Sequence, residues 1–139
     1  MNLHDDVAVL LAVPPFTALD ASKLKLLAFA SQRLNYLPGE RLIMQGDPGD
    51  AVHVILDGEV EVSIASGTGE RVVRRMGRHA FFGEIAILEH VARTATVTAI
   101  TAVDALRIER DTLLRLMQDL PAFGEAIEAH MANSGYVYE

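Results

Sequence analysis

A glycine, a glutamate and an arginine occur close together in the middle of the chain, and their types suit an anionic ligand. Gly83 precedes Glu84–Leu88, a segment of good helix formers, and Arg93 follows nine residues after Glu84. A helix that begins at Gly83 would present unpaired backbone N–H groups to a phosphate, and the absence of a side chain would let the phosphate approach. The guanidinium of Arg93 matches two phosphate oxygens.

Glu84 needs its own explanation, because a carboxylate beside a phosphate is repulsive unless it accepts a hydrogen bond. A ribose 2′-hydroxyl would supply that hydrogen bond, so the set suits a ribonucleotide phosphodiester better than inorganic phosphate. Simpler interpretations exist for each residue alone. Glu84 could be a first-turn carboxylate favoured by the helix dipole, and Arg93 could be a surface arginine or the partner of Glu84.

The elements around these residues are predicted to be mostly short strands. From Gln32 onward, turn signals such as Asp57-Gly58 and Gly67-Thr68-Gly69 separate apolar or alternating segments. Predicted strands cover Ala51–Leu56, Glu59–Ile64, Arg71–Met76, Thr94–Ala99 and Ala102–Glu109. Asp57-Gly58 predicts a two-residue hairpin between the first two of them. Strands spaced this closely favour an antiparallel barrel or jelly roll over a doubly wound sheet.

Helices are predicted at both ends. Residues 1–31 should contain a helix from about Asp5 to Leu11 and another that Asp20 caps. Residues 110–135 should form one helix after Asp111 and a second from Ala122 to Ser134. The fold class is therefore mainly β with flanking helices: a jelly-roll-like antiparallel β-roll at 32–109, a short phosphate-binding helix and two C-terminal helices. We expect residues 1–139 to be a single domain.

Composition excludes several function classes. The 12 Lys and Arg against 19 Asp and Glu give a net charge of −7, which predicts no nucleic-acid partner. There is no cysteine for a disulfide, a thiolate metal site or a thiol nucleophile. The longest apolar stretch, Val7–Phe16, is far shorter than the roughly 20 residues of a membrane-spanning helix. With an acidic start instead of a basic signal segment, we expect a cytoplasmic protein without membrane insertion.

Neither a metal site nor an enzyme is predicted. Cupins use a similar barrel and bind metals through a His-x-His pair, but none of the five histidines is spaced in that way. With no activated nucleophile either, we expect no catalysis, no metal and no cofactor. A basic run of Arg71, Arg74, Arg75 and Arg78 precedes Phe81. We interpret it as solvated charges on a strand and turn in preference to a nucleotide-steering surface.

The segment Phe82–Val97 resembles the phosphate-binding cassette of the cyclic nucleotide-binding domain family. That cassette reads approximately Phe-Gly-Glu-(Leu/Ile)-Ala-Leu, a short loop and Pro-Arg-(Ser/Thr/Ala)-Ala-Thr-Val. The segments Tyr36–Glu40, Gln45–Asp50 and Ile55–Val60 look like the family's strand and turn signatures, in the right order. The resemblance covers about Val13 to Met131 and implies cAMP or cGMP as ligand.

The resemblance implies a role for each cassette residue. Glu84 would bind the ribose 2′-hydroxyl, and Arg93 the exocyclic phosphate oxygens. The amides around Ile85 and Ala86, after Gly83, would bind the same phosphate, and Thr94 would lie beside phosphate and base. Ala92 replaces the family's usual proline before the arginine, and 78–80 (Arg-His-Ala) replace a Pro-Gly-Asp-like turn. We expect these departures to alter affinity without abolishing binding.

The predicted function is that of a sensor whose ligand repositions the C-terminal helices. The alternatives are the sensor fragment of a transcription regulator, the regulatory domain of a channel or transporter, and an interaction module that keeps the fold without a ligand. The sequence does not identify the effector partner. Phe123, Ile127 and Met131 form a stripe that suits the core, a homodimer seam, or a lid that closes over the base with Tyr136.

Overall fold

The structure, a computed structural model, describes residues 3–134. It opens with helix α1 (Leu3–Leu11), a 3₁₀ helix (Pro14–Ala18) and helix α2 (Ala21–Ala30). Helix α2 begins where the sequence predicts, because the Asp20 carboxylate accepts a hydrogen bond of 2.9 Å from the Lys23 amide. That bond satisfies one of the N–H groups that a helix start leaves without a partner.

Eight strands follow within the described residues, and they form two four-stranded antiparallel sheets. The first sheet has the order β1-β8-β3-β6, and the second has the order β2-β7-β4-β5. The strands are β1 (Gln32–Tyr36), β2 (Arg41–Ile43), β3 (Ala51–Asp57), β4 (Val60–Ser66), β5 (Gly69–Met76), β6 (Phe81–Phe82), β7 (Thr96–Ala99) and β8 (Val103–Glu109). Helix α3 (Glu84–Leu88) lies between β6 and β7, and α4 (Arg110–Asp119) and α5 (Pro121–Ser134) end the described chain. The predicted antiparallel β-roll with flanking helices is confirmed.

The hairpin predicted at Asp57-Gly58 is wrong, because β3 and β4 belong to different sheets. Gly58 has a φ of 98°, and a side chain there would collide with the carbonyl oxygen of Ala102. The chain therefore turns sharply at Gly58 and passes from one sheet to the other. The tight hairpin of this region is instead β4–β5, where Ser66 pairs with Gly69 across a two-residue loop.

Two apolar cores hold the roll and the helices together. The outward side chains of β3, Val52, Val54 and Leu56, pack in one core with the helices. Ile55, from the other face of β3, packs in a second core inside the roll with Val62 and Phe82. Because β3 is buried on both faces, its sequence is a continuous apolar run without alternation. The second core forms the floor of the cavity described next.

Candidate functional site

Gly83 caps the start of helix α3 and adopts the left-handed backbone conformation with a φ of 103°. A Cβ atom at this position would lie 3.0 Å from an Arg93 nitrogen and 3.1 Å from the Ala51 carbonyl oxygen, so only glycine fits without displacement. The turn into α3 follows directly from β6, which pairs with β3. The start of α3 is thereby fixed against the sheet, with the Ile85 and Ala86 amides in its first turn.

Arg93 is buried next to this helix start. Its Nη1 donates a hydrogen bond of 2.8 Å to the Gly83 carbonyl, and its Nη2 donates one of 2.6 Å to the Ala51 carbonyl. A guanidinium has five N–H donors, so these two bonds leave capacity for an anion. Asp50 lies 3.6 Å from Arg93 Nη2 and also contacts Arg107 at 2.9 Å. Burial lowers the pKa of Arg93, and the Asp50 charge opposes that shift.

The loop that carries Arg93 is held by backbone contacts to the turn at 46–50. The Arg93 amide donates to the Asp47 carbonyl at 2.8 Å, and the Arg93 carbonyl accepts from the Gly46 amide at 2.9 Å. Pro48 and Ala92 form an isolated antiparallel bridge beside them. The loop is therefore anchored although Ala92 replaces the family's proline.

Glu84 is almost completely buried, with 2% of its surface exposed. Its Oε2 atom has no hydrogen-bond partner among the residues that the structure describes. Burial raises the pKa of this carboxyl group, while its own backbone amide and the charges of His130, Arg93 and Arg74 act in the opposite direction. A buried carboxylate oxygen without a donor is costly, and a hydroxyl-bearing ligand would satisfy it.

A cavity of about 150 Å³ lies between α3, the roll interior and α5. All six predicted site residues line it: Gly83, Glu84, Ile85, Ala86, Arg93 and Thr94. The structure thus brings together residues that lie up to eleven positions apart in the sequence. Apolar side chains, among them Val62, Met76 and Val97, line the rest of the cavity and would suit the face of a planar ring.

A sequence profile of the cyclic nucleotide-binding domain matches residues 33–119. The chain belongs to this family. It is 35% identical over 104 residues to the cAMP-dependent protein kinase regulatory subunit of Mycosarcoma maydis, an alignment that covers 75% of this chain and 20% of that protein. It is 29% identical to the CRP-like cAMP-activated global transcriptional regulator of Mycobacterium tuberculosis, with 81% of this chain and 50% of the regulator aligned. The chain therefore spans half or less of the length of these relatives.

Solved structures agree with the family assignment. The regulatory domain of protein kinase A from Toxoplasma gondii, crystallised with cAMP, aligns with a TM-score of 0.78 and 28% identity. The alignment covers 91% of this chain and 46% of that one. The resemblance inferred from the cassette motif is thereby confirmed for both the family and the fold.

Several residues at or near the site of this cyclic nucleotide-binding domain were not predicted from the sequence, and three of them carry ionisable side chains that bear on Glu84 or on the roll interior. Arg74 and His130 line the cavity, and His53 packs beneath it, stacked on Phe82 with ring centres 5.5 Å apart. His130 approaches the Phe81 carbonyl with its Nε2 at 3.0 Å. Arg74 lies in the basic run that we interpreted as solvated, and it is exposed in the structure although it also lines the cavity. No local motif marks His53 or His130. Only the pairing of β4 with β5 and the packing of α5 bring Arg74 and His130 to the cavity.

The lid expected from the C-terminal stripe is not supported by the described residues. Phe123 and Ile127 are fully buried in the core shared with Phe16 and Leu24, because α5 packs against the 3₁₀ helix and α4. Two of the three stripe residues are therefore core residues in this structure, as one of the alternatives for the stripe predicts. The α5 side chain at the cavity is His130, one residue before Met131. Tyr136 lies outside the described residues.

Among residues 3–134, no group of three or more His, Asp or Glu side chains is placed to hold a metal ion. Within the same range, no helix has the length and hydrophobicity needed to cross a bilayer.

Proposed function

We propose that this chain is a non-catalytic sensor domain that binds cAMP or cGMP in the cavity beside α3. The observation that carries the proposal is the buried Oε2 of Glu84, which has no hydrogen-bond partner in the described chain and belongs to a residue that lines the same cavity as Arg93. A cyclic nucleotide offers both groups what they need, because its ribose 2′-hydroxyl can donate to Glu84 and its phosphate can accept from Arg93.

The remaining contacts fit the same ligand. The first-turn amides of Ile85 and Ala86 would donate to the phosphate, and Thr94 would lie beside it and the base. No nucleophile, metal or cofactor takes part, so the nucleotide leaves unchanged. The relatives named above include a kinase regulatory subunit and a transcription regulator, each longer than this chain. Binding would accordingly reposition the C-terminal helices and signal, inside the cell, to an effector domain or a partner protein.

Calorimetry with cAMP, cGMP and their 2′-deoxy analogues tests the proposal. We expect at least one ribonucleotide to bind and its 2′-deoxy analogue to bind more weakly, because the analogue leaves Glu84 Oε2 without a donor. Arg93→Ala should weaken binding by about 2–5 kcal/mol, the usual result of removing one partner of a buried charge pair. Arg75→Ala is the matched control, since Arg75 is exposed and its nearest described carboxylate is Glu61, at 4.0 Å.

The proposal is wrong if neither nucleotide binds at millimolar concentration, and the chain would then be an interaction module that has kept the fold. Equal affinity for the ribonucleotide and its 2′-deoxy analogue would show that Glu84 does not bind the ribose 2′-hydroxyl. Conversion of the nucleotide to its 5′-monophosphate would reveal an active site and contradict the non-catalytic assignment.

A further inference from the structure

The outer face of helix α2 carries two large apolar side chains that the rest of the described chain leaves uncovered. Leu26 and Phe29 are 69% and 80% exposed, the two largest values among the exposed large hydrophobic residues of the described chain. They lie three positions apart on one helix, and therefore on the same face. A single exposed apolar side chain is ordinary, but neighbouring ones form a patch that indicates an interaction site.

A groove of about 620 Å³ lies beside these two residues, between α2 and α4. Apolar side chains from both helices line it, namely Leu26, Leu27 and Ala30 of α2 and Leu116 and Leu120 of α4. The surface thus has an apolar ridge, Leu26 and Phe29, next to an apolar groove. We call the ridge and the groove together the α2–α4 face. It contains both parts of a contact in which a helix lies in a groove.

The charges of the two helices complement each other at this face. Helix α2 carries Lys23 and Lys25 and no acidic residue. On α4, Asp111, Arg115 and Asp119 line the groove at intervals of four residues, which gives two carboxylates for one guanidinium. Lys25 and Asp119 take part in no salt bridge with the described residues. Each is therefore available to an opposite charge on another molecule.

The periodicity of α2 places its groove residues and Lys25 on opposite flanks of the exposed face. With about 3.6 residues per turn, Leu26 and Ala30 lie toward the groove, Phe29 lies in the middle and Lys25 lies on the far flank. When α2 of a second copy occupies the groove, a two-fold axis sets its Leu26 flank against the first α2. Its Phe29 then points into the groove, and its Lys25 faces the Asp119 side of α4. The two-fold axis makes each of these contacts twice.

We propose that the α2–α4 face is the interface of a homodimer in which α2 of each copy lies in the groove of the other. The stripe on α5 does not offer such a surface, because Phe123 and Ile127 are buried in the core. The six predicted site residues line a different cavity. The inference therefore goes beyond the proposed function and does not depend on it, and dimerisation should not require nucleotide.

Analytical ultracentrifugation of residues 1–139 over a series of concentrations, without nucleotide, tests the proposal. We expect a monomer–dimer equilibrium. Phe29→Gln should raise its dissociation constant about tenfold or more, because a central aromatic side chain carries much of the binding free energy of an interface. Leu37→Gln is the matched control and should leave the equilibrium unchanged, since Leu37 is also exposed but lies between β1 and β2.

Lys25→Glu and Asp119→Lys test the two-fold arrangement itself. Each variant alone places like charges together at both contacts and should dimerise more weakly than the wild type, by a few-fold for each exposed contact. A mixture of the two variants should form a heterodimer more readily than either variant forms a homodimer, because both contacts of the heterodimer again join opposite charges.

The proposal is overturned if the chain stays monomeric at millimolar concentration, and the α2–α4 face would then be left for a different protein. It is also overturned if the dimer is as stable in Phe29→Gln as in the wild type, because the dimer would then use another surface. Mixed charge variants that associate no better than each variant alone would contradict the two-fold pairing. A chain that dimerises as expected but binds no cyclic nucleotide would refute the proposed function alone.

Discussion

Two buried side chains near the site, Glu84 and His53, each have one polar atom without a hydrogen-bond partner in the described chain, and their surroundings differ. Glu84 lines the cavity, so a ligand can supply the missing donor. His53 lies in the roll interior, where it is subject to the positive charges of Arg93 and Arg107 and stacks on Phe82. Burial, followed by those two charges, lowers the pKa of His53 to about 3, while Asp50 opposes the shift. His53 is therefore neutral in the folded protein at pH 7.

This neutral histidine should make the fold sensitive to acid. The folded-state pKa of about 3 lies below the ordinary histidine pKa of 6.5, so the unfolded chain binds more protons between these values. The contribution of His53 to the free energy of unfolding is then constant above about pH 6.5. Below that pH it decreases by on the order of 1 kcal/mol per pH unit, because one proton is taken up on unfolding. The raised pKa of Glu84 acts in the opposite direction, because protonation of that carboxyl group favours the folded state. We expect His53→Leu to flatten the decrease below pH 6.5.

Urea unfolding at a series of pH values from 4 to 8 measures this effect. Val54→Ala is a suitable control, because it removes buried apolar atoms and introduces no titrating group, so its loss of stability should be the same at every pH. Parallel curves for the wild type and His53→Leu would show that His53 titrates equally in both states and would contradict the assigned pKa.

At the residue scale, the sequence predicted the six cassette residues that line the cavity, because they form one local motif with a recognisable chemistry. Arg74 and His130 could not be predicted in the same way. Arg74 is one of four arginines in a short run, and only the strand register distinguishes it from Arg75. His130 reaches the site through the packing of α5, which local sequence does not encode.

At the scale of elements, helix α3 is positioned by the turn that precedes β3. A Cβ atom at Gly49 would lie 2.5 Å from the Ala86 Cβ and 3.3 Å from the Ile87 amide nitrogen. The turn and the helix are therefore in direct backbone contact. The same turn supplies Asp47 and Asp50, which contact Arg93, so one element fixes both sides of the proposed phosphate site.

Gly49→Ala should therefore weaken nucleotide binding by displacing α3, at an expected loss of stability of about 1–3 kcal/mol from overpacking. Gly67→Ala is the matched control, because a Cβ atom there meets nothing within 4 Å and Gly67 lies in the distant β4–β5 loop. Nucleotide titration and thermal unfolding of both variants measure the effect. Equal affinities for Gly49→Ala and the wild type would show that the position of α3 does not depend on this contact.

The hairpin wrongly predicted at Asp57-Gly58 illustrates which features of the fold local sequence does not determine. The Asp-Gly dipeptide predicts a sharp turn, and the structure has one at this position. The same dipeptide, however, is compatible both with a hairpin and with a turn that connects two sheets. The choice between them depends on the pairing of β3 with β8, whose residues lie about fifty positions further along the chain. Helix α2 was predictable by contrast, because its Asp20 cap is a contact between near neighbours in the sequence.

At the scale of the whole molecule, the helices and the roll meet at the cavity through α5. His130 contacts the Phe81 carbonyl and lines the cavity, while Phe123 and Ile127 hold the first part of α5 in the helical core. The cavity of about 150 Å³ is smaller than the roughly 300–1,000 Å³ typical of small-molecule sites. A nucleotide therefore requires a wider site, and we expect the wall at His130, which lies beyond the core residues Phe123 and Ile127 on α5, to give way.

Hydrogen exchange measured with and without nucleotide tests whether this wall moves. We expect ligand to slow exchange of the cassette amides from Gly83 to Ala86, which it would contact directly. It should speed exchange near His130, since entry of the base displaces that side chain from Phe81. His130→Ala should bind nucleotide more tightly, because the free energy needed to displace the imidazole is removed. Glu128→Ala is the control for altered helix stability, because it changes an exposed residue of the same helix. Slower exchange near His130 would indicate closure of α5 over the ligand, and unchanged exchange throughout α5 would mean that the signal leaves the domain by another route.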